Sequence, residues 1–282
     1  MSGRPLAVER SGRGPALMLL HGFAGSGRSL AGVAHALEGD FEVLVPDLPG
    51  HGRSVERVAR PAYDFDACSD DLVATLAAAG HGSAHWLGYS LGARLALGCA
   101  VRHPARVASL VLLAARAGIR DPAERSARRA ADEALAARIE TRGVAAFVDE
   151  WLAQPLFATM HRFGPQFMAR ERAARLANDA TGLASSLRAL GPAAQPPLFD
   201  ALPRVTVPVL LVAGALDPRF VAAAHELARG LPRAEVCVIP DAGHAAHLEQ
   251  PAAFLRVVRE FLGRVARPAS HDPSPSIQET AT

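Results

Sequence analysis

Lysine is missing from this chain: all 30 basic residues among its 282 are arginine. Against 28 acidic residues they leave a formal charge of +2, so there is no electrostatic footprint for nucleic acid or an anionic membrane. Alanine is abundant as well, and most of the arginine excess reads as a compositional bias of the source. Cysteine is scarce, with only Cys68, Cys99 and Cys237, widely spaced and without a Cys-x-x-Cys pair, which excludes a thiolate zinc site. The stretch from Met1 to Pro15 lacks the apolar centre of a secretory signal, and no strongly apolar run reaches the length of a membrane span. The expectation is a soluble cytoplasmic protein, monomeric or a small homo-oligomer. Nucleic-acid and membrane partners, metal and cofactor are not expected.

What is present is an ordinary globular composition, half hydrophobic and 21% charged, enough for a substantial core. Short, continuous apolar runs at Ala16–Leu20, Phe41–Val45, Ala84–Leu87 and Val107–Ala114 read as buried parallel strands. Segments 28–37, 65–79 and 91–102 between and after them read as helices. Strands alternating with helices imply an α/β fold with a mostly parallel, doubly wound sheet covered on both faces. From about Gly118 to Pro203 no strand is expected, and helices are expected over 123–141, 144–153, 166–177 and 183–190. Strands resume at Val209–Ala213 and Glu235–Ile239, with a last helix over 252–265. The division is therefore a core over 1–117 and 204–266, a helical cap inserted over 118–203, and a disordered tail over 267–282.

The stretch Gly88-Tyr89-Ser90-Leu91-Gly92 joins a strand to a helix, and Gly-x-Ser-x-Gly in that context is a nucleophile elbow. A serine hydroxyl stays unreactive until another group takes its proton. Its partners are expected in loops after later strands, in the order serine, acid, histidine, at the carboxyl ends where such sheets place their sites. The loop after Val209–Ala213 offers Asp217, and the loop after Glu235–Ile239 offers His244, with His247 read as structural. Ala115-Arg116-Ala117, after the strand ending at Ala114, offers no acid. Donors for a developing oxyanion are expected from the backbone N–H groups of Leu91 and Phe23, the latter in the loop His21-Gly22-Phe23-Ala24-Gly25-Ser26-Gly27. No Gly-Lys-Ser/Thr follows that loop, so it is not a nucleotide cradle.

Arg94 stands one helical turn beyond Ser90, on the face beneath the site. Burying a guanidinium there without a partner is costly. Position alone leaves two readings open: a fork for a substrate carboxylate, or a surface or internally ion-paired arginine.

These motifs together resemble the α/β-hydrolase superfamily over residues 16–265. More narrowly, the chain is similar to the 2-succinyl-6-hydroxy-2,4-cyclohexadiene-1-carboxylate synthase family of menaquinone biosynthesis. The narrower likeness rests on 20–27, 46–52 and 88–94 in the core. In the cap it rests on Glu124-Arg125-Ser126-Ala127-Arg128-Arg129, on 151–157, on Arg175-Leu176-Ala177-Asn178, on 182–184 and on Gln195-Pro196. It continues through Asp217-Pro218-Arg219-Phe220 and 242–249. The resemblance implies a lyase acting on a small polycarboxylate, a cyclohexene with succinyl, ring-carboxylate and enolpyruvyl groups, from which pyruvate is eliminated. By matching motif it implies that Arg94, Arg128 and Arg175 hold carboxylates and that Tyr89 and Trp151 shape the pocket. Ser90, activated by His244 and Asp217, would then be a base. Arg125 and Arg129 fall on the outer face of their helix. Ala93 in place of a second glycine and Ala215 in place of a glutamate depart from the family pattern without removing a catalytic atom. The competing expectation is a serine hydrolase of the same fold, cleaving an ester, lactone or carbon–carbon bond through an acyl-enzyme.

Overall fold

The computed structural model describes residues 3–59 and 63–266; the tail expected at 267–282 lies outside them. Seven strands form one sheet: β1 (Val8–Ser11), β2 (Ala16–Leu20), β3 (Glu42–Pro46), β4 (Ala84–Tyr89), β5 (Val107–Leu113), β6 (Val209–Gly214) and β7 (Ala234–Ile239). Their spatial order is β1-β3-β2-β4-β5-β6-β7, with β1 antiparallel to β3 and every other neighbouring pair parallel.

The continuous apolar runs behave as doubly covered parallel strands should. In β2, Ala16, Met18 and Leu20 face one layer of the core while Leu17 and Leu19 face the other. The same alternation runs through Leu110 and Leu112 against Val111 and Leu113 in β5, and through Val209 and Leu211 against Leu210 and Val212 in β6. Helices α1 (Ala31–Leu37), α2 (Phe65–Ala78) and α3 (Leu91–Arg102) follow β2, β3 and β4. Apolar faces of α2 and α3 cover one side, and Val33, Ala34 and Leu37 of α1 cover the other. Strand β1 was not anticipated. Val-Glu-Arg-Ser is half exposed at the sheet edge and has no apolar run to announce it.

Between β5 and β6 run α4 (Pro122–Leu152), α5 (Pro165–Leu176) and α6 (Ala180–Leu190), with a 3-10 segment at Pro155–Phe163 that was not anticipated either. The two helices expected on either side of residue 143 are nearly continuous. Gly143, at φ 78°, breaks the helical geometry at that point. Ile139, Phe147, Val148 and Leu152 of α4 pack with Leu183, Ala184 and Leu187 of α6, and Ala24 of the loop after β2 joins this cluster. Asn178 ties the insertion to the core: its Nδ2 donates to the Ala24 carbonyl at 2.9 Å, and its Oδ1 accepts the Gly52 N–H at 3.2 Å. The chain closes with α7 (Pro218–Gly230), the short α8 (Ala246–Glu249) and α9 (Pro251–Val265). Among the described residues no helix is long and apolar enough to cross a membrane.

The sheet and α3 meet with no room for a side chain at two points. A Cβ on Gly88 would stand 2.4 Å from the Gly92 carbonyl group, and a Cβ on Gly92 would stand 2.1 Å from the Leu20 oxygen. Gly92→Ala is therefore expected to lower unfolding free energy by about 2–3 kcal/mol or more through forced backbone displacement. Gly39→Ala, where the added Cβ meets nothing within 4 Å, is the control. Urea denaturation of both variants checks this, and equal stabilities would show that the helix can shift freely off the sheet.

Candidate active site

Ser90 occupies the turn between β4 and α3 with φ 52° and ψ −105°, a conformation disfavoured for any residue with a side chain and worth about 1–3 kcal/mol of strain. Neighbouring backbone bonds hold it there. The Ser90 N–H donates to the Leu113 carbonyl at 2.9 Å, and its carbonyl accepts the Arg94 N–H at 3.1 Å. The hydroxyl is thereby presented at the end of the sheet. His244 Nε2 lies 3.2 Å from Ser90 Oγ, and His244 Nδ1 lies 3.0 Å from Asp217 Oδ2. With Nδ1–H donating to the carboxylate, Nε2 is the acceptor for the serine proton. Asp217 is the N-cap of α7, its Oδ1 accepting the Phe220 N–H at 3.3 Å, so one residue both starts the helix and orients the imidazole.

The loop carrying His244 is fixed by a residue that the sequence did not single out. The Glu249 carboxylate, fully buried, accepts the Gly243 N–H at 2.9 Å and the Ala245 N–H at 3.2 Å, the two amides flanking His244. Arg162 lies against it at 3.4 Å. The loop after β2 is fixed in a comparable way by two buried histidines. His21 Nε2 accepts the Leu48 N–H at 2.9 Å, so its Nδ1–H donates to the Gly22 carbonyl at 2.8 Å. His51 Nε2 accepts the Ala24 N–H at 3.1 Å while its Nδ1–H donates to the Pro49 carbonyl at 3.1 Å. Both must be neutral to do this, and burial pushes His21 down to about 4 and His51 down to about 3.

Above Ser90 lies a cavity with an empty volume of about 1010 Å³ including its mouth. Every residue expected to form the site reaches it except Asp217, which stands behind His244: Phe23 and Leu91, Tyr89, Arg94, Arg128, Trp151 and Arg175 all line the wall. Among the described residues no acceptor takes the N–H of Phe23 or of Leu91, which leaves both free for an oxyanion beside Ser90. The ring of Tyr89 packs on His247 and His244, with centroids 4.5 and 5.4 Å away. Trp151 stacks among Phe23, Phe147 and Phe157, and its buried indole N–H has no partner among the described residues.

Arg94 is neither a surface arginine nor an ion pair. Its side chain is buried, and its guanidinium donates to the Leu190 carbonyl at 2.9 Å and, more weakly at 3.4 Å, to the Gly191 carbonyl and Gln195 Oε1. These are the closing carbonyls of α6, the negative end of that helix dipole. All three acceptors are neutral. Burial, with Arg128 and Arg116 nearby, lowers Arg94 to about 10, still protonated at neutral pH. Arg128 is paired with Asp132 at 2.7 Å, and Arg175 with Glu171 at 2.9 Å, though the buried Nε of Arg175 is unsatisfied. Sequence reasoning missed two further arginines on the same wall, Arg116 and Arg219. Their signal was available, since each closely follows the end of a central strand. Among the described residues the cavity lining thus shows five arginine side chains and no aspartate or glutamate.

Two outcomes follow from the supporting residues. Glu249→Gln replaces an acceptor with a donor facing two N–H groups, and is expected to lower kcat about tenfold or more with KM little changed, as His244 loses its alignment. Unchanged kcat would show that the loop needs no such anchor. The buried neutral histidines, His21, His51 and His247 (the last lowered to about 3), keep their protons off in the fold while the unfolded chain takes them up below about pH 6.5. Stability therefore falls as pH drops through that window, by on the order of 4 kcal/mol between pH 7.5 and 5.5 for the three together. Urea titrations at the two pH values measure it; equal unfolding free energies would contradict the neutral assignment.

Residues 15–251 match the alpha/beta hydrolase fold family. A Bacillus subtilis protein that carries the name 2-succinyl-6-hydroxy-2,4-cyclohexadiene-1-carboxylate synthase provisionally is 35% identical over 257 residues, spanning 91% of this chain and 93% of its own. The enzyme of that name from Enterobacter sp. (strain 638) is 34% identical over 88% of this chain and 92% of its own. Among solved structures, MenH from S. aureus superposes with a TM-score of 0.85 at 27% identity, covering 93% of this chain and 98% of that one. The chain belongs to the alpha/beta hydrolase fold family, in the group of the 2-succinyl-6-hydroxy-2,4-cyclohexadiene-1-carboxylate synthases.

Proposed function

We propose that this chain is a carbon–oxygen lyase of menaquinone biosynthesis. It converts 2-succinyl-5-enolpyruvyl-6-hydroxy-3-cyclohexene-1-carboxylate to 2-succinyl-6-hydroxy-2,4-cyclohexadiene-1-carboxylate and pyruvate, in line with the names of its relatives. The observation that carries the reading is Arg94, a protonated guanidinium buried beside Ser90 with only neutral acceptors. A buried cation without a counterion is destabilising, and a substrate carboxylate supplies what is missing. A neutral ester or lactone would leave that charge unanswered, which disfavours the hydrolase alternative.

In this reaction Ser90 acts as a base. Its Oγ removes the proton from C2, α to the succinyl ketone, as His244 Nε2 takes the hydroxyl proton and Asp217 stabilises the resulting imidazolium. The electron pair moves onto the ketone oxygen, which lies against the N–H groups of Phe23 and Leu91. Leu91 stands at the N-terminus of α3, where the helix dipole adds to the stabilisation. The enolate then collapses through the ring double bond and expels the enolpyruvyl oxygen from C5. His244 returns the proton, and pyruvate leaves. Arg94, Arg128 and Arg175 hold carboxylates, while Tyr89 and Trp151 pack on the ring and tail, with the unsatisfied indole N–H of Trp151 available to an oxygen of the substrate. The helices over 118–203 serve as a cap on the 1–117 and 204–266 core. The proposal includes a cytoplasmic enzyme, monomeric or a small homo-oligomer, that binds no nucleic acid. Cys99 and Cys237 are free thiols, in keeping with a reducing compartment.

Purified protein is expected to release pyruvate from the enolpyruvyl substrate and to turn over p-nitrophenyl esters slowly. Fast ester hydrolysis without pyruvate would reject the lyase. Arg94→Ala is expected to cost about tenfold or more in kcat/KM, which is roughly 1.4 kcal/mol of transition-state stabilisation. Wild-type kinetics in that variant would leave Arg94 with a purely structural role at the end of α6.

A further inference from the structure

Two of the cavity arginines have no part in the roles above. Arg116 lies three residues beyond the end of β5, and Arg219 is the second residue of α7, just after β6. Strands β5 and β6 are parallel neighbours with Leu113 opposite Val212, so both side chains leave the same end of the sheet from adjacent strands. Both line the cavity that contains Ser90 and His244. Arg116 is half-buried and Arg219 is exposed, which puts the pair on the solvent side of a cavity whose other end is the buried Arg94. Among the described residues neither guanidinium has a hydrogen bond or an ion pair.

That arrangement works against stability. Arg219 occupies the first turn of α7, where backbone N–H groups already carry positive partial charge and no acidic residue offsets it. Asp217, at the same helix end, is committed to His244 and to the Phe220 N–H. Arg116 feels its neighbour: burial first, then the charge of Arg219 and of Arg128, push its guanidinium down, with Glu124 and Glu226 opposing. Arg128 already has Asp132. What would relieve the repulsion is an anion held between two guanidinium forks, and the chemistry of such forks favours a carboxylate.

We propose that Arg116 and Arg219 form a carboxylate clamp at the mouth of the cavity, separate from Arg94, which holds the outermost carboxylate of the substrate. The clamp deepens the polycarboxylate reading of this site and rests on it. It also determines specificity. A ligand long enough to span from Arg94 to the mouth satisfies both ends, whereas a monocarboxylate that reaches Arg94 leaves the outer pair unanswered.

The test uses Arg116→Gln, Arg219→Gln and the double variant in the full chain. With pyruvate release as the assay, the double variant is expected to raise KM for the enolpyruvyl substrate about tenfold while kcat stays within about twofold. Its melting temperature is expected to hold or rise, because a repulsion has been removed. A merely structural role would instead lower the melting temperature and leave KM unchanged. Wild-type KM in the double variant overturns the clamp. Absence of pyruvate release from the wild type would reject the lyase reading instead. The clamp is then judged by calorimetry with tricarballylate as the probe. Weaker binding to the double variant than to the wild type supports it; equal binding, or none to the wild type, overturns it.

Discussion

The close approach of α3 to the sheet governs the rest of this molecule. Where β4 gives way to the helix, Gly88 and Gly92 leave no space for a Cβ, and the backbone between them must turn through the left-handed region at Ser90. That single constraint aims the hydroxyl out of the sheet and leaves the Leu91 N–H at a helix N-terminus beside it. It also fixes the direction of α3, so that Arg94, one turn on, lies beneath the cavity with its guanidinium at the closing carbonyls of α6. The exposed Ser90 hydroxyl, the Leu91 N–H beside it and the deepest cation are consequences of one tight turn. Its strain of about 1–3 kcal/mol is offset by the two core layers packed against both sides of the sheet.

A second organising feature is the sorting of charge. Several arginines on the outer surface have carboxylate partners: Arg188 with Glu133 and Glu140, Arg172 with Asp149, Arg102 with Asp66 and Asp70. Such exposed pairs are worth little, because water and salt screen them. The cavity wall departs from that pattern. Among the described residues Arg94, Arg116 and Arg219 have no carboxylate, while Arg128 and Arg175 each have one from their own helix, four residues away. Uncompensated cations gathered in one concavity are costly, and the proposed polycarboxylate substrate would offset that cost. The absence of lysine adds meaning here, because a planar fork engages a carboxylate through two parallel donors where an ammonium would act as a point charge.

The core of the fold was legible in the sequence because its strands are continuous apolar runs and its site residues sit at strand ends, a positional rule that needs no tertiary information. The order serine, acid, histidine could be read for the same reason. Strand β1 could not be read, since a half-exposed edge strand lacks both the run and a clean alternation. The near-continuity of α4 through Gly143 escaped because glycine at φ 78° breaks the helix without ending it. Glu249 escaped for a different reason. Its role is to accept two amides that flank His244, and backbone donors leave no mark on a sequence pattern. Arg116 follows the end of β5 as Asp217 and His244 follow the ends of β6 and β7, so the positional rule that points to those two applies equally to a cation.

The position of Arg94 also bears on why a serine in this setting should serve as a base. Acyl transfer needs the carbonyl carbon to sit over Ser90 Oγ, whereas proton abstraction needs an α-hydrogen there and the carbonyl oxygen over the N–H groups of Phe23 and Leu91. The same triad and the same oxyanion donors can serve either geometry, so those atoms cannot choose between them. The choice falls to whatever fixes the substrate relative to Ser90. In the proposed reaction a carboxylate on Arg94 is tethered deep in the cavity, and packing on Tyr89 and Trp151, which line the same wall, constrains the tilt of the ring. With the proposed contacts at both its inner and outer ends, the substrate would lose the freedom to slide its carbonyl carbon onto the serine. On the proposed reading, chemistry in this cavity is decided by the cations that hold the substrate at a distance from the reacting oxygen.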